Sequence, residues 1–375
     1  MDESKLLERA RLVTPGGAQT SSRRHGNVGP RSYPPFATRG EGAYLYFNDG
    51  TRAIDLAGSN GAAALGYAHP EVVASVERYI GSGCTLSLPT GLEVEASEAM
   101  IRGFDYDVAV RWVRTGSEAV SAAVSVALEA TGREAVAALE GSYHGWHPWT
   151  RKVSRYESVD KVPLENVAAL LIESPRWREV DNDYIVSLQR IRNLCNRHGA
   201  LLIFDDVVYG FRFAVGGLTE TTGVRSDLSC FSKALGNGVP VGCVVGSRDL
   251  MMRTGYRVSS TFGGETVGLA AARAVLALHA EFDVCGELRE MGRRLRSDLD
   301  DGLRSSPIRV EGTPQHFRFV SDHPNTLERF LTLCMQQSGD ARVLIHRDAN
   351  NVNLMMNESI RQRIVDTVCA AASHI

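Results

Sequence analysis

The stretch Leu201-Leu202-Ile203-Phe204-Asp205-Asp206-Val207-Val208 decides how the rest of the chain is read. Four apolar residues in succession suit a strand buried on both faces, as in a parallel sheet covered by helices. Two carboxylates then end the apolar run, at the strand end where α/β sheets bind their ligands. Downstream lies Phe231-Ser232-Lys233-Ala234-Leu235-Gly236, with a lone lysine after a second apolar strand. The chain between Asp205 and Lys233 has room for one connecting segment and one further strand. Both groups can therefore reach the same edge of one sheet. Gly236-Asn237-Gly238-Val239-Pro240 follows the lysine, which suggests a partly buried amine with a lowered pKa. Taken singly, Asp205 and Asp206 also suit a helix cap or a solvated strand end, and Lys233 a surface lysine.

Outward from this pair, apolar β-branched runs fall at 108–113, 135–139, 167–172, 201–204, 228–231 and 242–245. Helical stretches at 117–130, 182–198 and 266–280 alternate with them. That alternation predicts an α/β fold with a parallel sheet between two helical layers. Towards the N-terminus, a short helix at 5–12 stops at Pro15-Gly16-Gly17, and 18–40 reads as an irregular arm. Strands at 44–47 and 52–56 flank Asn48-Asp49-Gly50 as a hairpin, and His69-Pro70 opens a helix at 71–81. Beyond 285, helices near 286–304, 325–337 and 358–371 flank strands around 308–320 and 342–354. The expected division is an arm and hairpin at 1–57, a large domain at 58–265, and a linking helix with a small α+β domain at 266–375.

The 375 residues are 43% hydrophobic and 23% charged, ordinary for a globular protein with a substantial core. A net charge of −3 gives no electrostatic case for nucleic acid or a membrane surface. The seven cysteines are scattered, odd in number and lack CxxC, which favours reduced thiols in the cytoplasm over a disulfide frame or zinc site. The first residues carry acids and lack an apolar signal core, and no apolar run approaches the roughly 18–20 residues of a membrane span.

Three further motifs could carry chemistry. Trp112-Val113-Arg114-Thr115-Gly116-Ser117-Glu118-Ala119 is a strand, a glycine turn and a helix start, able to cap itself and face an anion such as phosphate. It is neither a Walker loop nor GxGxxG, which disfavours a nicotinamide-dependent dehydrogenase. Gly141-Ser142-Tyr143-His144-Gly145-Trp146-His147 follows a strand and offers an aromatic ring to a planar cofactor; no third ligand completes a metal site. Thr261-Phe262-Gly263-Gly264-Glu265 places a hydroxyl at a glycine-rich helix entry. Arg23 and Arg24 could clamp a carboxylate. Capping turns, surface histidines and a solvated arm are the ordinary alternatives for each motif alone. A carboxylate and an amine at one sheet edge are what pyridoxal phosphate requires. The amine forms a Schiff base with its aldehyde, and the carboxylate keeps the pyridine nitrogen protonated.

The order of these motifs resembles the class III pyridoxal-phosphate aminotransferases of fold type I, especially glutamate-1-semialdehyde aminomutase and related aminotransferases. Supporting stretches include Gly42-Ala43-Tyr44-Leu45-Tyr46, Leu65-Gly66-Tyr67-Ala68-His69-Pro70-Glu71, Thr90-Gly91-Leu92-Glu93-Val94-Glu95 and Pro240-Val241-Gly242. The resemblance implies a mostly parallel seven-stranded sheet flanked by helices. It implies Lys233 as the Schiff-base lysine and Asp205 as partner of the pyridinium nitrogen. Val207 and Tyr143 would face the two sides of the ring, with His144 beside it. Thr115, Gly116 and Ser117 would hold the phosphate. Thr261 would reach the phosphate in a neighbouring subunit of a homodimer, and Arg23 would meet a substrate carboxylate. Asn60, in place of a bulky aromatic, and Glu173 would border the substrate.

This chain also departs from that pattern. Asp205-Asp206-Val207 replaces the usual Asp-Glu-Val, and Ser174-Pro175-Arg176-Trp177-Arg178 replaces a Gly/Asn-rich turn. The stretch from Trp146 to Val167 is shorter than the active-site loop of the aminomutase. These departures point to a two-substrate aminotransferase with a small-molecule amino donor and a ketosugar, cyclitol or keto-acid acceptor. The alternatives are an intramolecular aminomutase and a catalytically silent pyridoxal-phosphate-binding protein.

Overall fold

In the computed structural model, which describes residues 3–337 and 342–375, the chain divides into two units. The first combines the two ends of the chain, through His69 and from Gly286, and the second spans Pro70–Cys285. The first unit begins with helix α1 (Glu3–Val13), strands β1 (Ala37–Glu41), β2 (Tyr44–Phe47) and β3 (Arg52–Asp55), and a single turn α2 (Gly58–Gly61). Strands β2 and β3 form the expected antiparallel hairpin. Strand β1 begins within the stretch read as an irregular arm, and pairs with β2 around a bulge near Ala37.

The second unit holds α3 (Pro70–Ile80), α4 (Gly91–Ile101), β4 (Val108–Val113), α5 (Gly116–Thr131), β5 (Ala135–Leu139), β6 (Ser154–Tyr156) and β7 (Val167–Glu173). It continues with α6 (Asn182–His198), β8 (Leu201–Asp205), α7 (Gly217–Thr222), β9 (Leu228–Phe231), β10 (Gly242–Ser247), α8 (Arg248–Thr254) and α9 (Thr266–Glu281). Seven strands form one sheet in the order β4-β10-β9-β8-β7-β5-β6. All neighbours are parallel except β10, which runs antiparallel to both β4 and β9. The link 232–241 between β9 and β10 is too short for the crossover that a parallel pair needs, roughly a dozen residues or more.

Alternation along the strands builds two cores. On β8, Leu201 and Ile203 pack with Ala123, Val126 and Ala127 of α5 on one side of the sheet. Leu202 and Phe204 pack on the other side with Leu188 and Cys195 of α6. Burying such side chains on both faces contributes roughly 1.5–3 kcal/mol each, and explains why the strand reads as a continuous apolar run. Helix α6 starts where Asp181 accepts the Tyr184 N–H at 2.8 Å. It ends at Gly199, whose φ of 67° suits a residue without Cβ.

The unit boundaries differ from the expected 57/58 and 265/266. Helix α9 belongs to the second unit, because it packs on α3 and α4. Ser75 Oγ donates to the Ala270 carbonyl at 2.8 Å, and Thr266 N–H to the Cys84 carbonyl at 2.8 Å. The remainder of the first unit contains α10 (Val284–Gly302), β11 (Arg309–Gly312), β12 (His316–Val320), α11 (Pro324–Met335), β13 (Val343–Leu344), β14 (Asn350–Asn351) and α12 (Glu358–Ala372). The α+β texture read from the sequence is present, with β13 pairing parallel to β3. Among the described residues no helix is long and apolar enough to cross a membrane.

Asp206, directly after β8, is a polar group fully withdrawn from water. Its Oδ1 accepts the Ser174 hydroxyl at 2.6 Å and the Leu218 N–H at 2.9 Å. Burial pushes its carboxyl up to about 7. The unfolded chain loses this proton near pH ~4. Stability from the group is therefore full below that pH and is lost as pH rises through about 7. Urea unfolding at pH 5 and 8 should show the wild type losing roughly 2–3 kcal/mol more than Asp206→Asn over that interval. Parallel losses in the two proteins would show that Asp206 is not held protonated.

Candidate active site

The period of a strand separates the two adjacent aspartates. Asp205 continues the face of Leu201 and Ile203, whereas Asp206 continues that of Phe204. Asp205 is 5% exposed and would be costly there without partners. His144 Nδ1 donates to its Oδ2 at 2.8 Å, and the Val207 N–H to its Oδ1 at 3.3 Å. His144 is itself buried, in the loop that leaves β5. The next residue, Gly145, has φ 89°, and a Cβ there would stand 2.5 Å from Ser117 Oγ.

Lys233 leaves β9, the parallel neighbour of β8, in a left-handed conformation with φ 49°. A side chain held in that region is strained and must be kept there by its surroundings. Ser232 Oγ donates to the Val241 carbonyl at 2.7 Å and ties the turn to the following strand. Burial lowers the Lys233 amine to about 8; the Arg176 charge pushes the same way, and Asp205 and Glu173 oppose it.

Glu173 lies in register with Asp205 on the neighbouring strand β7. Its Oε2 accepts the Tyr143 N–H at 2.9 Å, and its Oε1 lies 3.0 Å from Arg176 Nη1. Burial raises the Glu173 carboxyl, and the Arg176 charge partly offsets this. On the same cavity, Thr115 Oγ1 caps α5 by accepting the Glu118 N–H at 3.1 Å. The first N–H groups of a helix have no intrahelical carbonyl, and the helix dipole adds positive potential there. Gly116 is small for a steric reason, since a Cβ would come within 2.6 Å of Val207 Cγ1.

These groups line one cavity of roughly 190 Å³. Thr115, Gly116, Ser117, Tyr143, Asp205, Val207 and Lys233 surround it together with Glu173 and Arg176. His144 stands behind, holding Asp205. From the sequence alone Arg176 belongs to an unfamiliar turn and its facing the pocket is open; its place directly after a central strand end is the signal that points to the cavity. Thr261 is exposed, in a turn ahead of α9, and does not line this cavity. Arg23 and Asn60 belong to the first unit, where Arg23 Nε donates to Thr20 Oγ1 at 3.2 Å and Asn60 Nδ2 to Ser22 Oγ at 3.0 Å. The second histidine of the 141–147 loop, His147, is taken up by Ser121 Oγ at 2.6 Å. Among the described residues no group of three His, Cys, Asp or Glu could hold a metal ion.

The class III aminotransferase family model matches residues 26–161 and 148–369. Glutamate-1-semialdehyde 2,1-aminomutase of Methanothrix thermoacetophila is 32% identical over 334 residues, covering 79% of this chain and 76% of that protein. The same enzyme of Acetivibrio thermocellus is 33% identical over 344 residues, covering 80% and 79%. Among solved structures, an omega-transaminase from Sphaerobacter thermophilus superposes with a TM-score of 0.85 at 25% identity, over 99% of this chain and 97% of that one. A beta-phenylalanine aminotransferase from Variovorax paradoxus shares the fold, with a TM-score of 0.84 at 23% identity over 99% and 94%.

The cofactor of this family is pyridoxal 5′-phosphate, and the cavity fits it. The free N–H groups of the capped α5 N-terminus suit a phosphate, and a carboxylate and an amine line the same cavity. The chain belongs to the class III, pyridoxal-phosphate-dependent aminotransferases of fold type I.

Proposed function

We propose that this enzyme moves an amino group from a small-molecule donor to a carbonyl acceptor in two half-reactions at the cavity around Lys233. The observation that carries this reading is the meeting of Lys233, Asp205 and the α5 N-terminus on one cavity. When bound, pyridoxal phosphate would supply an electrophilic aldehyde for the Lys233 amine and a ring able to accept carbanion electrons. Asp205, oriented by His144, would hold the proton on the ring nitrogen. Gly116 and Ser117 direct backbone N–H groups at the phosphate. Val207 packs on one side of the site, and Tyr143 covers the other. Once released, the Lys233 amine moves a proton to and from the reacting carbon. Its pKa of about 8 leaves a useful neutral fraction near physiological pH.

The acceptor class is a ketosugar, cyclitol or keto acid in a biosynthetic pathway. A cytoplasmic location agrees with seven free cysteines. Thr261 serves the phosphate site of a second copy in a homodimer. Its exposure, beside a Phe262 that is 58% exposed, supports such a contact. The likeness to the aminomutases favours a second reading, intramolecular transfer. Against it, the segment between Trp146 and Val167 holds only β6 and two single-turn helices, with no long loop to retain a half-reacted substrate.

A donor screen separates the two readings. With a true donor alone, an aminotransferase releases keto product up to one equivalent per site, and turns over only when an acceptor is added. Steady turnover of one substrate without an acceptor would establish the mutase. Asp205→Asn should lower kcat by roughly 100- to 10,000-fold while the protein stays folded. Co-expression of Lys233→Ala with Thr261→Ala should restore activity in mixed dimers, because one site then has both an intact lysine and an intact threonine. Purely additive activity would mean that Thr261 acts within its own subunit.

A further inference from the structure

The turn after β7 places a positive charge in the cavity that amino transfer leaves unused. Arg176 borders the same space as Lys233 and Asp205. Its guanidinium is moored from a strand end: Nη1 lies 3.0 Å from Glu173 Oε1, and Glu173 in turn accepts the Tyr143 N–H at 2.9 Å. The Trp177 ring lies 5.6 Å from Arg176 Cζ. The side chain is only 22% exposed, so most of its hydration is lost. A second sign of its closeness to the reacting centre is electrical. After burial, the Arg176 charge is the strongest influence lowering the Lys233 amine. A guanidinium presents N–H donors in a planar fork that matches a carboxylate.

We propose that Arg176 is the anion-binding residue of this cavity and selects amino donors and acceptors that carry a carboxylate beyond the reacting carbon. Glu173 orients the guanidinium through their ion pair. The inference rests on the aminotransferase reading and narrows it: keto acids are the favoured acceptors, and uncharged ketosugars and cyclitols are not. A guanidinium that served only as a strut for Glu173 would give no preference for charge in the ligand.

Calorimetric titration of the purified holoenzyme with glutarate and with its neutral analogue glutaramide tests this. Wild type should prefer glutarate by roughly 10-fold or more, in line with charge-assisted hydrogen bonding. Arg176→Gln should weaken glutarate binding by roughly 10- to 100-fold and abolish the preference, and Arg176→Lys should keep part of it. Thermal melting of each variant confirms that it is folded. Equal affinity of wild type for the two probes, or unchanged glutarate binding in Arg176→Gln, would overturn the inference. Borohydride reduction in the same preparations reads covalent cofactor attachment. Attachment without a glutarate preference removes the Arg176 assignment alone. No attachment overturns the aminotransferase reading and with it the substrate assignment.

Discussion

A carboxylate withdrawn from water at the end of a buried strand constrains everything around it. Asp205 is tolerated because the equally buried His144 donates to it at 2.8 Å and the chain's own Val207 N–H folds back onto it. That bond joins the loop after β5 to the end of strand β8. It fixes the orientation of Tyr143-His144-Gly145 as firmly as that of the carboxylate. Strand β8 lies between β7 and β9, both parallel to it, so the strand ends carrying Glu173 and leading to Lys233 arrive on the same side. The chemistry depends on this geometry, since neither the amine nor the carboxylate would have a ligand to share without the parallel register.

The adjacent aspartates show how strongly the strand period governs fate. Asp205 faces the cavity, whereas Asp206 is buried on the opposite face, accepting from Ser174 and Leu218. Gly217 next to it has φ 64°, and a Cβ there would lie 2.4 Å from Asp206 Cγ. The shorter aspartate at this position thus has a packing role of its own. Through Ser174 it also anchors the start of the turn that carries Arg176.

Much of this was legible in the sequence, for physical reasons. The central strands read clearly because both faces are buried, and the helices of the second core layer because their caps and periodicity agree. Asp205 and Lys233 stood out because charge interrupts apolar strands. Other elements left weaker traces. Strand β1 is largely exposed along an edge, so no alternation marks it. Helix α4 escaped recognition although Thr90 and Glu93 form a capping box, a signal visible in the sequence. Its buried residues Leu92, Ala96 and Met100 are interspersed with others that blur the apolar stripe. The three-residue strand β6 is too short to leave a pattern. The antiparallel run of β10 follows from the length of its link rather than from its own residues. The placement of Arg176 on the cavity needed the fold, because only the strand register brings that turn to the lysine.

The central claim is that Lys233 is the residue that holds the cofactor. The chain has four lysines, Lys5, Lys152, Lys161 and Lys233, so peptide mapping is unambiguous. Holoenzyme reduced with borohydride, digested and sequenced by tandem mass spectrometry should carry the pyridoxyl mass on the peptide containing Ser232-Lys233-Ala234, at about one per chain. The same mass on Lys5, Lys152 or Lys161, or on none of the four, would contradict the account.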